Sequence, residues 1–514
     1  MKRRTFLRNS SLASLPFALP GLGIRQNQLF KWITENSDKI LVLIQCSGGY
    51  DGLNMVLPID QYDGLAKARA NLLIPENKGL KITDNVALHP AMAPLANLYS
   101  EGQLEIIQGV GYPEQNRSHF RSTDIWTSGS ASSQYLSTGW LGRYLDDLYP
   151  GYPEGYPNDT DTDPFAITMQ GTVSETCQGI GANFSMSVND PFSLAPLTIS
   201  TGGEAPDTYY GDELSFLRDA ILKTNQYSEV IEAAAAKGKN KVNYPEGNGL
   251  ANQLRNVALL ISGGLQTRIY VVSMGGYDTH ANQVNANDTT QGSHTDLLAD
   301  LSAAIASFQS DLNALGHHEK VLGMTFTEFG RRIRSNYSLG TDHGSSAPLF
   351  LFGSCVRGGI LGHNPDIPDD VDPLEGVALQ HDFRNVYGSI FEQWFGLAPQ
   401  QVSALLYPDY QSLPMLRDCQ SLSANEPVYT TFSEANVFPN PTQSVGTLSW
   451  IHPGGVIQIQ LMDVLGSIIR TVYHNRPPAG PWEVKFDVSS LSTGNYYLRM
   501  ISPHGQRTLP LIKL

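Results

Sequence analysis

Two apolar runs of this chain end on the same four residues. Ile40-Leu41-Val42-Leu43-Ile44 leads into Gly48-Gly49-Tyr50-Asp51, and Ile269-Tyr270-Val271-Val272 leads into Gly275-Gly276-Tyr277-Asp278. Short continuous runs of branched and aliphatic residues read as strands buried on both faces, which is the habit of a parallel sheet covered by helices. A glycine pair then allows a sharp turn, and the aspartate arrives just past the strand end. One such aspartate is adequately explained as a cap of the next helix. Two copies ask for more.

The same alternation continues along the chain. QLEIIQGVG, KVLGMTFTEFG and APLFLFGS also read as strands, while HTDLLADLSAAIASFQSDLNALG has helical apolar spacing. The expected class is therefore α/β, a mainly parallel sheet flanked by helices. With 514 residues the chain exceeds one ordinary core, and 41% hydrophobic residues leave ample material for two. The formal charge of -15 and the lack of a long Lys/Arg cluster beyond the N-terminus exclude a nucleic-acid partner. Cys46, Cys177, Cys355 and Cys419 have no zinc-cluster spacing, and a disulfide among them has no pairing fixed by the sequence.

Both ends of the chain read as addresses. The opening MKRRTFLRNSSLASLPFALPGLG combines a basic start with a modest apolar stretch broken by Pro16 and Pro20, the pattern of an export signal. Arg3-Arg4-Thr5-Phe6-Leu7 resembles the twin-arginine consensus, so residues 1–35 are assigned to signal and leader. No later run reaches the length of a membrane helix, and no transmembrane segment is expected in the mature chain. Near the other end, VIQIQLMDVLG and NYYLRMIS alternate between turn residues, as in a small all-β sandwich. Val437-Phe438-Pro439-Asn440-Pro441, Asp463-Val464-Leu465-Gly466, Asp487-Val488-Ser489-Ser490-Leu491 and Gly494-Asn495-Tyr496-Tyr497 resemble, in that order, the type A sorting domain of bacterial type IX secretion. That resemblance implies a partner, the type IX machinery, and a route through the periplasm to the cell surface or the medium. The resulting division is 1–35 leader, 36–420 α/β domain, 421–434 linker and 435–514 β-sandwich.

The chemistry should then lie between about Asn36 and Gln420. In open α/β sheets reactive groups gather beyond the carboxyl ends of the strands. Asp51, Ser118-His119, Asp278-Thr279-His280 and Glu328 all follow strands, and Asp342-His343 precedes the last. Carboxylates crowded at one edge repel unless a cation neutralises them, and mixed Asp, Glu and His ligation suits Zn, Mn, Mg or Ca. Taken singly each is ordinary: a cap, a surface turn, or, for Glu328, an ion pair with Arg331 or Arg332. Their joint placement points to a divalent metal site.

Gly48-Gly49-Tyr50-Asp51-Gly52-Leu53-Asn54, Arg117-Ser118-His119-Phe120, Gly139-Trp140-Leu141-Gly142-Arg143, Gly276-Tyr277-Asp278-Thr279-His280, Thr327-Glu328-Phe329-Gly330-Arg331 and Gly340-Thr341-Asp342-His343-Gly344 resemble the exported bacterial family known as domain of unknown function fifteen-oh-one. The similarity extends through His381-Asp382-Phe383-Arg384. It implies an alkaline-phosphatase-like and sulfatase-like α/β fold with Asp and His ligands at strand ends. On that resemblance Asp51, Asp278, His280, Glu328 and His343 hold metal, with Asp342 either behind a histidine or paired with His343 as the ligand. Ser118 stands in order as nucleophile ahead of Thr123 and Thr127, with His119 or Arg121 beside a bound anion. The sulfatase signature Cys-x-Pro-x-Arg is absent, which disfavours that subclass. Two functions follow: a metal-dependent hydrolase of phosphate or sulfate esters, small or polymeric, and a non-catalytic surface scaffold on the same fold.

Overall fold

The computed structural model describes residues 38–194, 224–417 and 435–514, the last apart from 453–456, 464–467, 476–479 and 503–504. The leader with its twin-arginine motif and the linker lie outside the described residues. The chain forms two compact units, Met1–Cys419 and Gln420–Leu514. No described helix is long and apolar enough to cross a membrane.

The larger unit is built on one sheet. Its strands are β1 Ile40–Cys46, β2 Leu104–Gly111, β3 Ala166–Thr168, β4 Ser185–Ser187, β5 Ile269–Met274 and β6 Val321–Phe326. A hairpin of β7 Arg331–Ser335 and β8 Thr341–His343 follows, then β9 Ala347–Phe352 and β10 Gly359–Leu361. Across the sheet the order is β10-β2-β9-β6-β1-β5-β3-β4. Because both faces are covered, alternate residues of one strand enter different cores. Val42 and Ile44 pack on one side with Tyr270 and Val272, whereas Leu41 and Leu43 pack on the other with Ile269 and Val271. Gly249–Ser262 and Ser293–Leu315 contribute helices to the first face. His119–Ser128, Trp140–Leu148 and Phe383–Gln393 cover the second.

One strand breaks the parallel pattern. β9 pairs antiparallel with both β2 and β6, while β1 pairs parallel with β5 and β6. The cause is the connection: residues 327–346 hold a hairpin and no crossover helix, so the chain returns in the opposite direction. The reversal has a functional consequence. Because β9 starts where its parallel neighbours finish, His343, four residues before it, reaches the carboxyl edge of the sheet.

At that edge the two Gly-Gly turns touch. Gly48 adopts φ +120°, and a Cβ placed there would lie 2.3 Å from Asp278 N. Only glycine permits this approach. Elsewhere Cys46 and Cys177 are buried free thiols and Cys355 is disulfide-bonded.

The smaller unit has two antiparallel sheets. One joins Asn436–Phe438, Val445–His452 and Gly480–Asp487; the other joins Ile468–Asn475, Ile457–Met462, Gly494–Ser502 and Gly505–Lys513. Leu448, Trp450 and Phe486 of the first share a core with Ile459, Leu461, Leu498 and Leu511 of the second. This is the expected sandwich.

Candidate metal centre

The first strand delivers Asp51 to the edge, yet Asp51 faces an arginine. Its two carboxylate oxygens lie 2.9 and 2.8 Å from Arg69 Nη1, and Gln283 Nε2 donates to Oδ2 at 2.6 Å. Both ion-pair side chains are sealed, at 0% and 1% exposure. Arg69 spends its other nitrogens on the carbonyls of Ile333 and Arg332, at 2.7 and 2.6 Å. Burial pushes the Asp51 carboxyl up, but the Arg69 and His294 charges and the hydrogen bonds from Arg69 and Gln283 together outweigh it, so the group sits below its ordinary value. The expectation that Asp51 joins the other ligands is not what the geometry gives: its oxygens already accept three hydrogen bonds, from Arg69 and Gln283.

Strand β5 delivers Asp278, and here three histidines gather. Asp278 Oδ1 lies 3.1 Å from His280 Nε2, 3.2 Å from His343 Nε2 and 3.5 Å from His119 Nε2. Ligand atoms of His119, Asp278 and His343 all fall within 4.8 Å of one another. His280 Nε2 is 2.8 Å from His343 Nε2. The far side of each ring is fixed by an acceptor. His119 Nδ1 donates to Glu328 Oε1 at 2.7 Å, His280 Nδ1 to Asp342 Oδ1 at 3.1 Å, and His343 Nδ1 to the Arg117 carbonyl at 2.8 Å. A carbonyl or ionised carboxylate can only accept, so the hydrogen of each neutral ring is on Nδ1. All three Nε2 lone pairs therefore turn toward a carboxylate oxygen that is itself an acceptor. Burial also holds His343 below its ordinary value, which favours the neutral ring.

Four acceptors pointing at one place fit a cation. Arg331 supplies part of the charge: its Nη2 is 2.7 Å from Asp278 Oδ1. The rest of that guanidinium is anchored, with Nε on Gly49 O at 2.5 Å, Nη1 on Thr341 O at 2.8 Å and Nη2 on the Gly48 and Tyr277 carbonyls. His119 Nε2 is buried and has no hydrogen-bond partner among the described residues. Histidines whose Nδ1–H rests on a carboxylate or carbonyl are the usual arrangement behind a bound metal.

Glu328 thus stands behind the cluster. It accepts from Gly48 N at 2.8 Å as well as from His119, and it is 5% exposed. Its side-chain partner is the His119 ring, and Arg331 pairs instead with Asp278. Asp342 occupies the corresponding place behind His280.

The remaining sequence candidates fall around this group. Ser118 is exposed at the start of the His119–Ser128 helix, and its hydroxyl makes no capping bond. Thr127 is turned into its own helix, donating to the Thr123 carbonyl at 2.9 Å. Arg121 is not gathered into the cluster: its guanidinium holds Asp124 and the Ser132 and Gln134 carbonyls and lies 3.7 Å over the Tyr135 ring. Sequence reasoning gave His119 a lesser part than its position warrants, and it missed Arg69 and Gln283. No periodicity or spacing marks those two, which act only through tertiary contact. A cavity of about 450 Å³ lined by Tyr144, Thr162, Arg268 and Lys320 opens beside Ile40 and Ile269, at the starts of β1 and β5 and away from this cluster.

No curated protein matches the chain in sequence. Among solved structures it is similar to a sulfatase from a Pseudoalteromonas species, at 9% identity and TM-score 0.32, covering 90% of this chain and 88% of that one. It is also similar to a protein of the alkaline phosphatase superfamily from Vibrio parahaemolyticus, at 9% identity and TM-score 0.31 over 95% and 88% of the two chains. A phosphonate monoester hydrolase from Silicibacter pomeroyi gives 8% identity and TM-score 0.31 over 93% and 89%. Residues 228–387 match the model described as protein of unknown function (DUF1501), and residues 436–513 match the secretion system C-terminal sorting domain. The chain therefore carries a domain of the DUF1501 family, which contributes Asp278, His280, Glu328, Asp342 and His343, followed by a type IX sorting domain.

Proposed function

We propose that the protein is an exported, metal-dependent hydrolase of phosphate or sulfate esters, with one divalent ion held by Asp278, His119, His280 and His343. The observation that carries this reading is the convergence of three imidazole Nε2 atoms on Asp278 Oδ1, each ring fixed from behind by an acceptor. A donor set of three nitrogens and one oxygen suits zinc or a neighbouring first-row metal better than Mg or Ca, which prefer oxygen. Such an ion supplies Lewis acidity toward an ester oxygen. Glu328 and Asp342 hold the rings in orientation, and Ser118, one residue from His119 and open to solvent, is the candidate nucleophile. The sorting domain implies delivery to the cell surface or the medium, and the twin-arginine leader is the proposed route to the periplasm.

A scaffold reading has its own support. Arg331 already gives Asp278 a cation, as Arg69 does for Asp51, so the cluster has part of its charge balance without an ion. Metal content of the purified full chain by plasma mass spectrometry, followed by a panel of p-nitrophenyl phosphate and sulfate esters, separates the two. Near one ion per chain with turnover of either ester supports the hydrolase. Metal-free protein, or a metal-loaded protein inert on both classes, supports the scaffold.

A further inference from the structure

Two arginines stand beside the cluster outside the roles described so far. Arg117 is fixed against it by its own backbone, because its carbonyl accepts from His343 Nδ1 at 2.8 Å. Its guanidinium is partly buried and has no hydrogen-bond or ion-pair partner among the described residues. Arg332 lies against the same histidine. Its Nε donates to His343 O at 3.3 Å, and its Nη1 reaches Asp342 Oδ2 and Pro373 O only at 3.4 Å. These are long bonds for a guanidinium, whose good contacts to carboxylate are about 2.7–2.9 Å.

The contrast with the neighbouring arginines is informative. Arg69 and Arg331 are saturated by carbonyls and a carboxylate each, and Arg384 is held by Asp382 at 2.9 and 2.6 Å. Arg117 has nothing comparable among the described residues and lies near enough to Arg332 to feel its charge. A guanidinium stays charged, so one left open beside another is a place for an anion. The setting is suited to one: the helix His119–Ser128 begins two residues after Arg117, and the Ser118 hydroxyl leaves its first-turn amides uncapped.

We propose that Arg117 and Arg332 form an oxyanion subsite beside the histidine cluster, which grips a tetrahedral phosphate or sulfate group, free or as an ester, and presents it at Ser118 and His343. The subsite rests on the hydrolase reading for the fate of the group, but binding of the free anion stands without it. Arg117 is the principal arm, because Arg332 also touches His343 and Asp342.

The test is calorimetric titration of the full chain with inorganic phosphate and, separately, sulfate, each in metal-loaded and chelator-stripped protein. One or both anions should bind, the preferred one identifying the ester class, and Arg117→Ala should weaken that binding about ten- to a hundredfold, the worth of a lost charge-assisted hydrogen bond. Metal content and thermal midpoint should not change, and Arg117→Lys should recover part of the loss. Should Arg332→Ala disturb the cluster, Arg117→Ala alone decides. Binding of neither anion, or binding that Arg117→Ala leaves intact, overturns the subsite. Anion binding that depends on Arg117 in a protein that turns over no ester keeps the subsite and removes the hydrolase.

Discussion

Asp51 and Arg69 form an ion pair with no solvent access, whereas Asp278, at the equivalent turn, meets the buried Arg331 with 48% of its own side chain exposed. The two Gly-Gly-Tyr-Asp turns are thus alike in sequence and opposite in role. The first aspartate locks the fold, and the second remains open to chemistry.

That difference predicts unequal costs. Asp51→Ala strands a buried guanidinium and should lower unfolding free energy by about 3–5 kcal/mol. Asp278→Ala removes a half-exposed carboxylate and leaves the buried Arg331 on four backbone carbonyls, so it should cost less, about 1–2 kcal/mol. Chemical denaturation of the two variants checks the order; equal losses would contradict it.

Metal content should divide the carboxylates and histidines differently. His119→Ala, His343→Ala and Asp278→Ala should each lose most of the bound ion. Glu328→Gln, which reaches the ion only through His119, should weaken binding by about 10- to 100-fold. The folded fraction of Asp51→Ala should retain the ion. Metal titration monitored by mass spectrometry reads all of these, and loss of the ion in Asp51→Ala would return that residue to the ligand set.

Ser118 separates catalysis from binding. Ser118→Ala should abolish ester turnover, by at least a thousandfold, and leave metal content and thermal midpoint unchanged, because its exposed hydroxyl holds no cap. Unaltered turnover would remove it from the mechanism.

Gly48→Ala should be among the most damaging single substitutions at the edge. The added Cβ meets Asp278 N at 2.3 Å at a φ of +120°. A loss of about 1–3 kcal/mol from the backbone alone is expected, and the displaced turn should weaken metal binding as well. A variant that matches the parent in melting and metal uptake would show that the contact yields easily.

Acid sensitivity should come partly from His294, which is 1% exposed and next to Asp51 and Arg69. Burial pushes it down to about 4. Its ordinary value is about 6.5, so the unfolded chain takes up this proton first as pH falls. Stability should therefore be fully present above about 6.5, decline between 6.5 and about 4, and lose nothing further from this group below that. His89, lowered to about 3 by burial and by His294, acts in the same direction. In His294→Asn the acid limb should be shallower by up to one proton. An unchanged slope would remove His294 as a cause.

Sequence alone determined the strands, because unbroken apolar runs such as Leu41–Ile44 are stable only when both faces are covered, and that requirement is local. It likewise determined the glycine turns, the histidines and carboxylates available at the sheet edge, and the terminal sandwich with its ordered motifs. Tertiary structure decided which charges meet. Nothing in the spacing tells that Asp51 is closed by Arg69 and by Gln283 from 232 positions away, or that Arg331 serves Asp278 and leaves Glu328 to His119. Those pairings follow from strand order and from the reversal of β9, which puts His343 at the same edge as Asp278. The physical reason is one of range: burial is written in the period of neighbouring residues, whereas an ion finds its partner through whatever the completed sheet brings alongside.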